Sequence, residues 1–521
     1  MIGILYNFTD RNIGALVLAA FRRSVTASGV FSVALCDLPL VNFLVVINPN
    51  QEQGKKLITW LECGSRKLII FGRLPDCLLN HFGVTLVQWP DPIDRWAKSP
   101  IAQSGHYAES KATIHYLPTA TELGAGEWQR ALERFDFTDE WNNLGYGAVR
   151  MDESAWSLSS ALRVPESAEI ANVQIDGQVI ASYCALFNEQ NSSIIWVNRE
   201  AGLIDSFEWR LIERFICDWR SNLLPCLPVV SEIPFGYDAA ITMRLDCDED
   251  ITSAKGLWLA YCDVNVPLSL AIHTNNLHDN KHVTFLKEFV ESGGALLSHT
   301  ATHAPNWGGS YESAQWEGRE SRHKIEKATG VYVNYAVSPF HQSPPYALAA
   351  LCDIGYQGCI GGIIRNDPEF LIARGGELAH LPEGFVGHSQ QSMLHGDCML
   401  ISGDDPLTIF KQSFDRALET RSLFGYLDHP FSERYQYGWK DEESRITAHL
   451  NFIAYIRERA EHPIFLDECQ ALDFLRHRSA ISIRNNAGKF IISVPRELDG
   501  LRFAVEFCGK IYEITDGVML T

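Results

Sequence analysis

The sequence predicts an α/β protein in three parts. Three observations predict it. Short apolar runs alternate with amphipathic stretches over the first 230 residues, eight strand-length runs recur from about residue 236, and short alternating strands follow Arg478. The expected units are an α/β domain over 1–232, a (β/α) barrel over 233–478 and a small β appendage over 479–521. A chain of 521 residues exceeds one ordinary core.

In the first unit, 2–6 reads as strand, 12–28 as helix, 31–36 and 43–47 as strands, 52–63 as helix and 67–71 as strand. Such alternation indicates a parallel sheet covered on both faces. Residues 89–125, rich in Pro, Ser, Thr and Ala, are expected to run outside the core. Segments 170–175 and 178–186 form a hairpin, because Asp176-Gly177 supplies the positive φ angles of a tight turn. A strand at 193–197 and a helix at 207–219 close the unit. By topology alone it resembles the flavodoxin-like, class I glutamine-amidotransferase-like fold. That family places a nucleophilic cysteine after a strand such as 67–71, where this chain has Gly72-Arg73-Leu74-Pro75-Asp76. A non-catalytic accessory domain is therefore expected.

Beyond residue 236, strands are expected near 240–246, 267–272, 294–298, 331–337, 355–360, 397–402, 423–428 and 463–466. Helices between them have ordinary stops, Gly293-Gly294 after 281–292 and Gly330 after the charged run 312–329, read as a solvated face. The tail strands are expected at 481–484, 490–494, 503–507 and 510–514.

Composition narrows the function. A formal charge of −20 argues against nucleic acid or an anionic membrane surface as partner, since both require clustered Lys and Arg. Thirteen cysteines, scattered and with no CxxC pair, suit a reducing compartment. The apolar run 14–21 precedes Arg22-Arg23, the reverse of a secretory signal, and no stretch nears the ~20 apolar residues of a membrane span. A soluble, cytoplasmic protein without a transmembrane segment is expected; the sequence is silent on oligomeric state.

Polar residues follow the apolar strands of the second part: Asp246 and Asp248, then His299 and His303, then His429. Barrel active sites are built at that end of the strands. A hydrolytic metal site needs about three protein ligands and an open position, which Asp248, His299 and His303 can supply. A separate base must take the proton of an activated water, and Asp246 shares a strand face with Asp248 at i+2. Each group also has a plainer reading, as a solvated turn or a locally bonded loop histidine. An Asp-x-Asp serves glycosyltransferases too, but that reading leaves the paired histidines unexplained.

On these residues, 236–478 resembles the polysaccharide deacetylase family, also called the NodB or carbohydrate esterase 4 family, and hence a distorted (β/α) barrel of NodB type. Asp246-Cys247-Asp248 is similar to its base and metal aspartates, His299-Thr-Ala-Thr-His303 to its His-(Ser/Thr)-x-x-His metal motif, and His429 to its general-acid histidine. The resemblance implies a divalent metal, zinc first and cobalt, nickel or iron otherwise. It implies removal of N-acetyl groups from an amino-sugar glycan or a lipid-linked or soluble intermediate of surface polysaccharide synthesis.

Two departures stand out. The arginine that orients the base in the third motif is missing from Val337-Ser-Pro-Phe-His-Gln-Ser-Pro344, which leaves His341 or Arg244 for that role. The aspartate supporting the acid histidine has no clear counterpart among Asp397, Asp404 and Asp428. The alternatives are a glycan-binding pseudoenzyme that keeps the metal and an Asp-x-Asp glycosyltransferase. Trp307, Tyr311, Trp316 and Trp439 are candidate sugar-stacking aromatics, and His388 and His395 are left outside the core site.

Overall fold

The protein is described by a computed structural model over residues 1–91, 93, 112–126, 128–131, 157–203, 207–361, 374–389, 392–394, 396, 405–486, 488–496 and 498–520. Two large sheets organise them. The first has nine strands in the spatial order Val30–Ser32, Ile2–Leu5, Phe43–Ile47, Arg66–Phe71, Ser192–Val197, Gln178–Asn188, Glu169–Ile175, Ala112–Tyr116 and Gln129–Ala131. The first five run parallel and the rest pair antiparallel, so the sheet is mixed where a parallel one was expected. The Asp176-Gly177 turn forms, with φ of 49° and 79°.

Part of the expected excursion proves to be core. Ala112–Tyr116 pairs with Glu169–Ile175 and buries Ile114 and Tyr116 completely or nearly so. Its strand alternation is short and was hidden by the surrounding Pro, Ser and Thr. The strand expected at 31–36 ends at Ser32, because Leu35–Leu40 turns into a 3-10 helix.

The second sheet has ten strands with Ala239–Cys247 at its centre. Ser269–Ile272, Ala295–Ser298, Tyr335–Val337, Gly358–Gly361 and Val386–Ser389 follow in parallel on one side, and Phe424–Asp428 pairs in parallel on the other. The strand expected at 397–402, with His395, Asp397 and Asp404, lies outside the described residues. Among the described strands the barrel does not close, and the path ends at Gly376–Glu377 and Ser392–Met393. The helix Glu468–Ser479 covers the inner face instead. Its Leu472 packs with Ala271, Leu297, Tyr335, Val337, Ile360 and Val386, the residues opposite in pleat to those under the outer helices. Pro463–Leu466 leads into that helix and pairs with residues 239–242 of the central strand.

Local signals set the helix ends. Asn50 with Gln53 and Asp467 with Gln470 form reciprocal capping boxes, and Gly330 ends Tyr311–Thr329 at φ 80°. The four tail strands all form but divide between two small sheets, one of which incorporates Val229–Val230. Their Phe490, Ile492, Phe503 and Val505 share a core with Ile212 and Phe215. No described helix is long and apolar enough to cross a membrane.

A buried ionic knot joins the parts. Arg374 donates to Glu213 Oε1 and Oε2 at 3.0 and 2.6 Å, Arg210 to Glu506 at 2.7 Å, and Glu232 accepts from the backbone of Gly375 and Leu423 at 2.6 and 2.9 Å. Burial would raise the Glu213 carboxyl, but Arg374 and Arg210 hold it below its usual 4.5. The stability it adds is therefore complete above pH 4.5 and is lost as pH falls through the lower folded value. Glu213→Gln removes the nearer of two carboxylates facing Arg374, Glu232 being 3.8 Å away, and should destabilise by up to about 3–5 kcal/mol in chemical denaturation at pH 7. The deficit should shrink in acid; an equal deficit at pH 7 and in acid would contradict the assignment.

Candidate metal centre

Parallel pairing brings the carboxyl ends of several strands to one rim. Cys247 pairs with Ile272, Ile272 with Ser298, and Leu245 with Asp428, so Asp246, Asp248, His299 and His429 emerge side by side. Together with His303, these residues line one cavity of about 190 Å³, shared with Ser338, Phe340, His341, Arg434, Tyr435 and Tyr437. The five residues expected as metal ligands, base and acid all lie in it.

Asp248, His299 and His303 each offer a ligand atom within 4.8 Å of the others. Asp248 Oδ1 lies 3.2 Å from His299 Nε2 and 3.3 Å from His303 Nε2. It is buried, and neither approach is aligned as a hydrogen bond. His299 Nδ1 faces the carbonyl oxygen of Val337 at 3.1 Å and carries a proton there, and although burial opposes it, Asp246 and Asp248 raise this imidazole above its usual 6.5; a cation would take the place of the second proton at Nε2. Burial and the charge of His299 push the His303 imidazole down to about 3, so it is neutral near pH 7. Burial would raise the Asp248 carboxyl, but His299, His429 and His303 hold it well below the usual range. A buried carboxylate oxygen with no aligned donor, facing two imidazole nitrogens, fits a divalent cation such as zinc.

The loop from His299 to His303 is held by a residue that the sequence did not single out. Glu317 accepts the N–H groups of Ala301 and Thr302 at 2.7 and 2.9 Å, and the Thr302 hydroxyl. It belongs to the helix read as a solvated face, yet it is 3% exposed. Thr300 and His303 have φ of 66° and 54°, and Asn306, Trp307, Phe340, His341 and Tyr437 nearby are also in the left-handed region. Each such residue costs on the order of 1–2 kcal/mol against right-handed backbone, so the rim stores strain.

Of the two residues named for orienting Asp246, Arg244 reaches it through two hydrogen bonds. Its Nε and Nη2 donate to Asp246 Oδ1 and Oδ2 at 2.7 and 3.2 Å. Burial would raise Asp246, but Arg244, with the imidazoles of His299 and His429, brings it down to about 2. Glu468 lies 3.9 Å from Arg244 Nη1 and also meets His388 Nε2 at 3.0 Å, so His388 lies beneath Asp246 and Arg244 and not among the cavity-lining residues.

Asp428 does not support His429. As its strand neighbour it points the opposite way, meeting Arg445 at 2.8 Å and His449 at 3.0 Å, and only its Oδ1 accepts the His429 backbone N–H. His429 Nδ1 makes no hydrogen bond among the described residues. Its ring stacks on Tyr435 at 4.5 Å and 7°, while the Tyr435 hydroxyl donates to Asp248 Oδ2 at 2.9 Å. Of the expected sugar-stacking aromatics, Trp307 and Trp439 are buried and none lines the cavity; Phe340, Tyr435 and Tyr437 do. The signal for the tyrosines was two aromatics at i and i+2 in the loop after His429.

No family model and no curated protein matches the chain. Similar solved structures include the carbohydrate deacetylase Agd3, at 9% identity, covering 97% of this chain and 92% of that one with a TM-score of 0.39. A chitin deacetylase from the fungal pathogen Colletotrichum lindemuthianum is 11% identical, over 46% of this chain and 89% of that one, with a TM-score of 0.32. A family 4 acetyl xylan esterase from Clostridium thermocellum in complex with a cobalt ion is 11% identical, over 45% and 91%, with a TM-score of 0.30. At such scores the likeness assigns no activity, and the site must be argued from its own atoms.

Zinc titration of the metal-free protein should give one ion per chain by calorimetry. His299→Ala should weaken binding by more than the ~10–100-fold typical of outer-shell changes, and Glu317→Gln by about tenfold. Equal affinity in wild type and His299→Ala would remove the centre.

Proposed function

We propose that the protein is a metal-dependent carbohydrate deacetylase that removes N-acetyl groups from an amino-sugar glycan or its biosynthetic intermediate. One observation carries the reading: a His-His-Asp ligand set shares a cavity with an arginine-clamped carboxylate and a further imidazole. The motif resemblance at Asp246, Asp248, His299, His303 and His429 supports the same chemistry.

Asp248, His299 and His303 would hold the ion. A divalent cation there would polarise the acyl carbonyl and acidify water. Asp246 then serves as base. The Arg244 fork holds both of its oxygens, so the carboxylate is fixed in orientation when it accepts the proton. The water oxygen bonds to the acyl carbon, the C–N bond breaks, and His429 gives a proton to the departing nitrogen. Acetate and a free amine result. Tyr435 keeps the His429 ring in plane and places a hydroxyl donor beside the reacting group. The cavity, about 190 Å³, has the volume of roughly six waters, which suits an acyl group and part of one ring.

The glycan-binding alternative is favoured by one feature, the His429 Nδ1 left without a carboxylate partner. Stoichiometric metal and tight glycan binding with no acetate released would select it. The glycosyltransferase alternative gives His299 and His303 no task.

Acetate release from N-acetylated oligosaccharides should fall by about 10²–10⁴ in Asp246→Asn with metal content unchanged. Undiminished turnover in that variant would eliminate the base. Arg244→Lys keeps the charge but loses the fork, and kcat should fall by about 10–100-fold with KM little changed. A loss confined to KM would instead place Arg244 in substrate binding.

A further inference from the structure

A lysine stands where the first sheet is otherwise apolar. Lys67 shares a face of Arg66–Phe71 with Ile69 and Phe71, both part of the apolar core, and is 0% exposed. Its Nζ lies 6.0 and 5.3 Å from the ring centres of Phe43 and Phe215, and among the described residues it pairs with no carboxylate. Such burial is costly for an ammonium, and it pushes Lys67 below its usual 10.5. The nitrogen donates instead to Phe215 O at 2.6 Å and to Cys226 Sγ at 3.1 Å. Cys226 is half-buried, so solvent reaches the cysteine of this pair and not the lysine. Burial raises the Cys226 thiol, and Lys67 opposes that rise.

We propose that Lys67 and Cys226 form a modification site, at which hydrogen peroxide joins the two side chains through an S–N bond. Passing one proton from sulfur to nitrogen leaves a thiolate beside an ammonium. The thiolate attacks peroxide, so an S–O bond forms, the O–O bond breaks, and the hydroxide released takes a proton from Lys67. Sulfur is oxidised to a sulfenic acid and peroxide is reduced to water. The neutral Nζ, already in contact with Sγ, then attacks that sulfur; the S–N bond forms, the S–O bond breaks, and the hydroxyl leaves as water with an amine proton. Thiol, amine and peroxide thus give a sulfenamide and two waters. Two equivalents of a small thiol restore the free side chains and leave as their disulfide. The bond would tie Arg66–Phe71 to the segment leading into Val229–Val230, the strand paired with the tail. It lies in the other sheet from the metal centre and does not depend on the reading of that centre.

The full chain, as wild type, Lys67→Met and Cys226→Ser, is treated with hydrogen peroxide, alkylated, digested with trypsin and mapped by mass spectrometry. Wild type should give two peptides joined at Lys67 and Cys226, together lighter by two hydrogen atoms than the free pair, with no cleavage after Lys67. Dithiothreitol should release them. Lys67→Met puts an apolar chain of similar length in the buried position, so the fold is kept while the amine is lost. That variant should give no joined pair, and dimedone should instead trap a sulfenic acid at Cys226. Cys226→Ser should give neither product. Cys217 and Cys508 stand near enough for their charge to act on Lys67, and a disulfide from Cys226 to either is the rival product. That disulfide, an unmodified Cys226, or a sulfinic acid at Cys226 with normal cleavage after Lys67 would each overturn the proposal.

Discussion

The parallel register of the central strand is the constraint on which the site depends. Ala239–Cys247 is paired at Leu245↔Asp428 on one edge and at Cys247↔Ile272 on the other, and Ile272 is in turn level with Ser298. Four carboxyl ends therefore finish together. A one-residue slip would turn Asp246 and Arg244 from the inner face to the outer one. The inner face is specified twice, by apolar residues under Leu472 and by the Asp246, Arg244, Glu468 and His388 chain, so slippage would expose apolar surface and strand buried charge. Fold and chemistry are set by the same alternation.

Above that floor the rim is irregular, and its irregularity is supported from outside. His303, Phe340 and His341 adopt left-handed backbone that an unbraced loop would abandon. Glu317, buried and accepting from two backbone amides, supplies charge-assisted hydrogen bonds of about 1.5–3 kcal/mol each, enough to offset strain in the His299–His303 loop. Gln342 ties the second strained turn to the Asn306-Trp307 segment. These braces are hydrogen bonds between residues of the chain itself.

Local patterns in the sequence reported local structure. The Asp176-Gly177 hairpin, the stops at Gly293 and Gly330, and the tail strands at 503–507 and 510–514 depend on a few neighbouring residues, and all formed. Asp248, His299 and His303 were singled out because a metal site calls for carboxylate and imidazole donors, and Asp246 because it shares a strand face with Asp248. Interactions between distant segments were not legible. Glu317 looked solvated because a helix of mixed charge gives no hint that one carboxylate faces a loop, and Arg244 could not be separated from His341 without knowing which met Asp246. The helix Glu468–Ser479 likewise gave no sign in its own sequence that it would cover the inner face of the sheet in place of barrel closure.

Adjacency in the chain also misleads at His429. Asp428 is next to His429, yet strand alternation sends it into a buried group with Arg445, His449 and Tyr261 on the other side of the sheet. The support that a carboxylate would give His429 is replaced by an aromatic face. Tyr435 spans the gap with its ring on His429 and its hydroxyl on Asp248, so one side chain couples the proposed proton donor to the proposed metal carboxylate. A stack restrains the tilt of the imidazole but leaves Nδ1 without charge compensation, whereas a carboxylate would restrain and compensate together. His429 therefore depends on the cavity itself, and on the loop that carries Tyr435, for both its orientation and its proton.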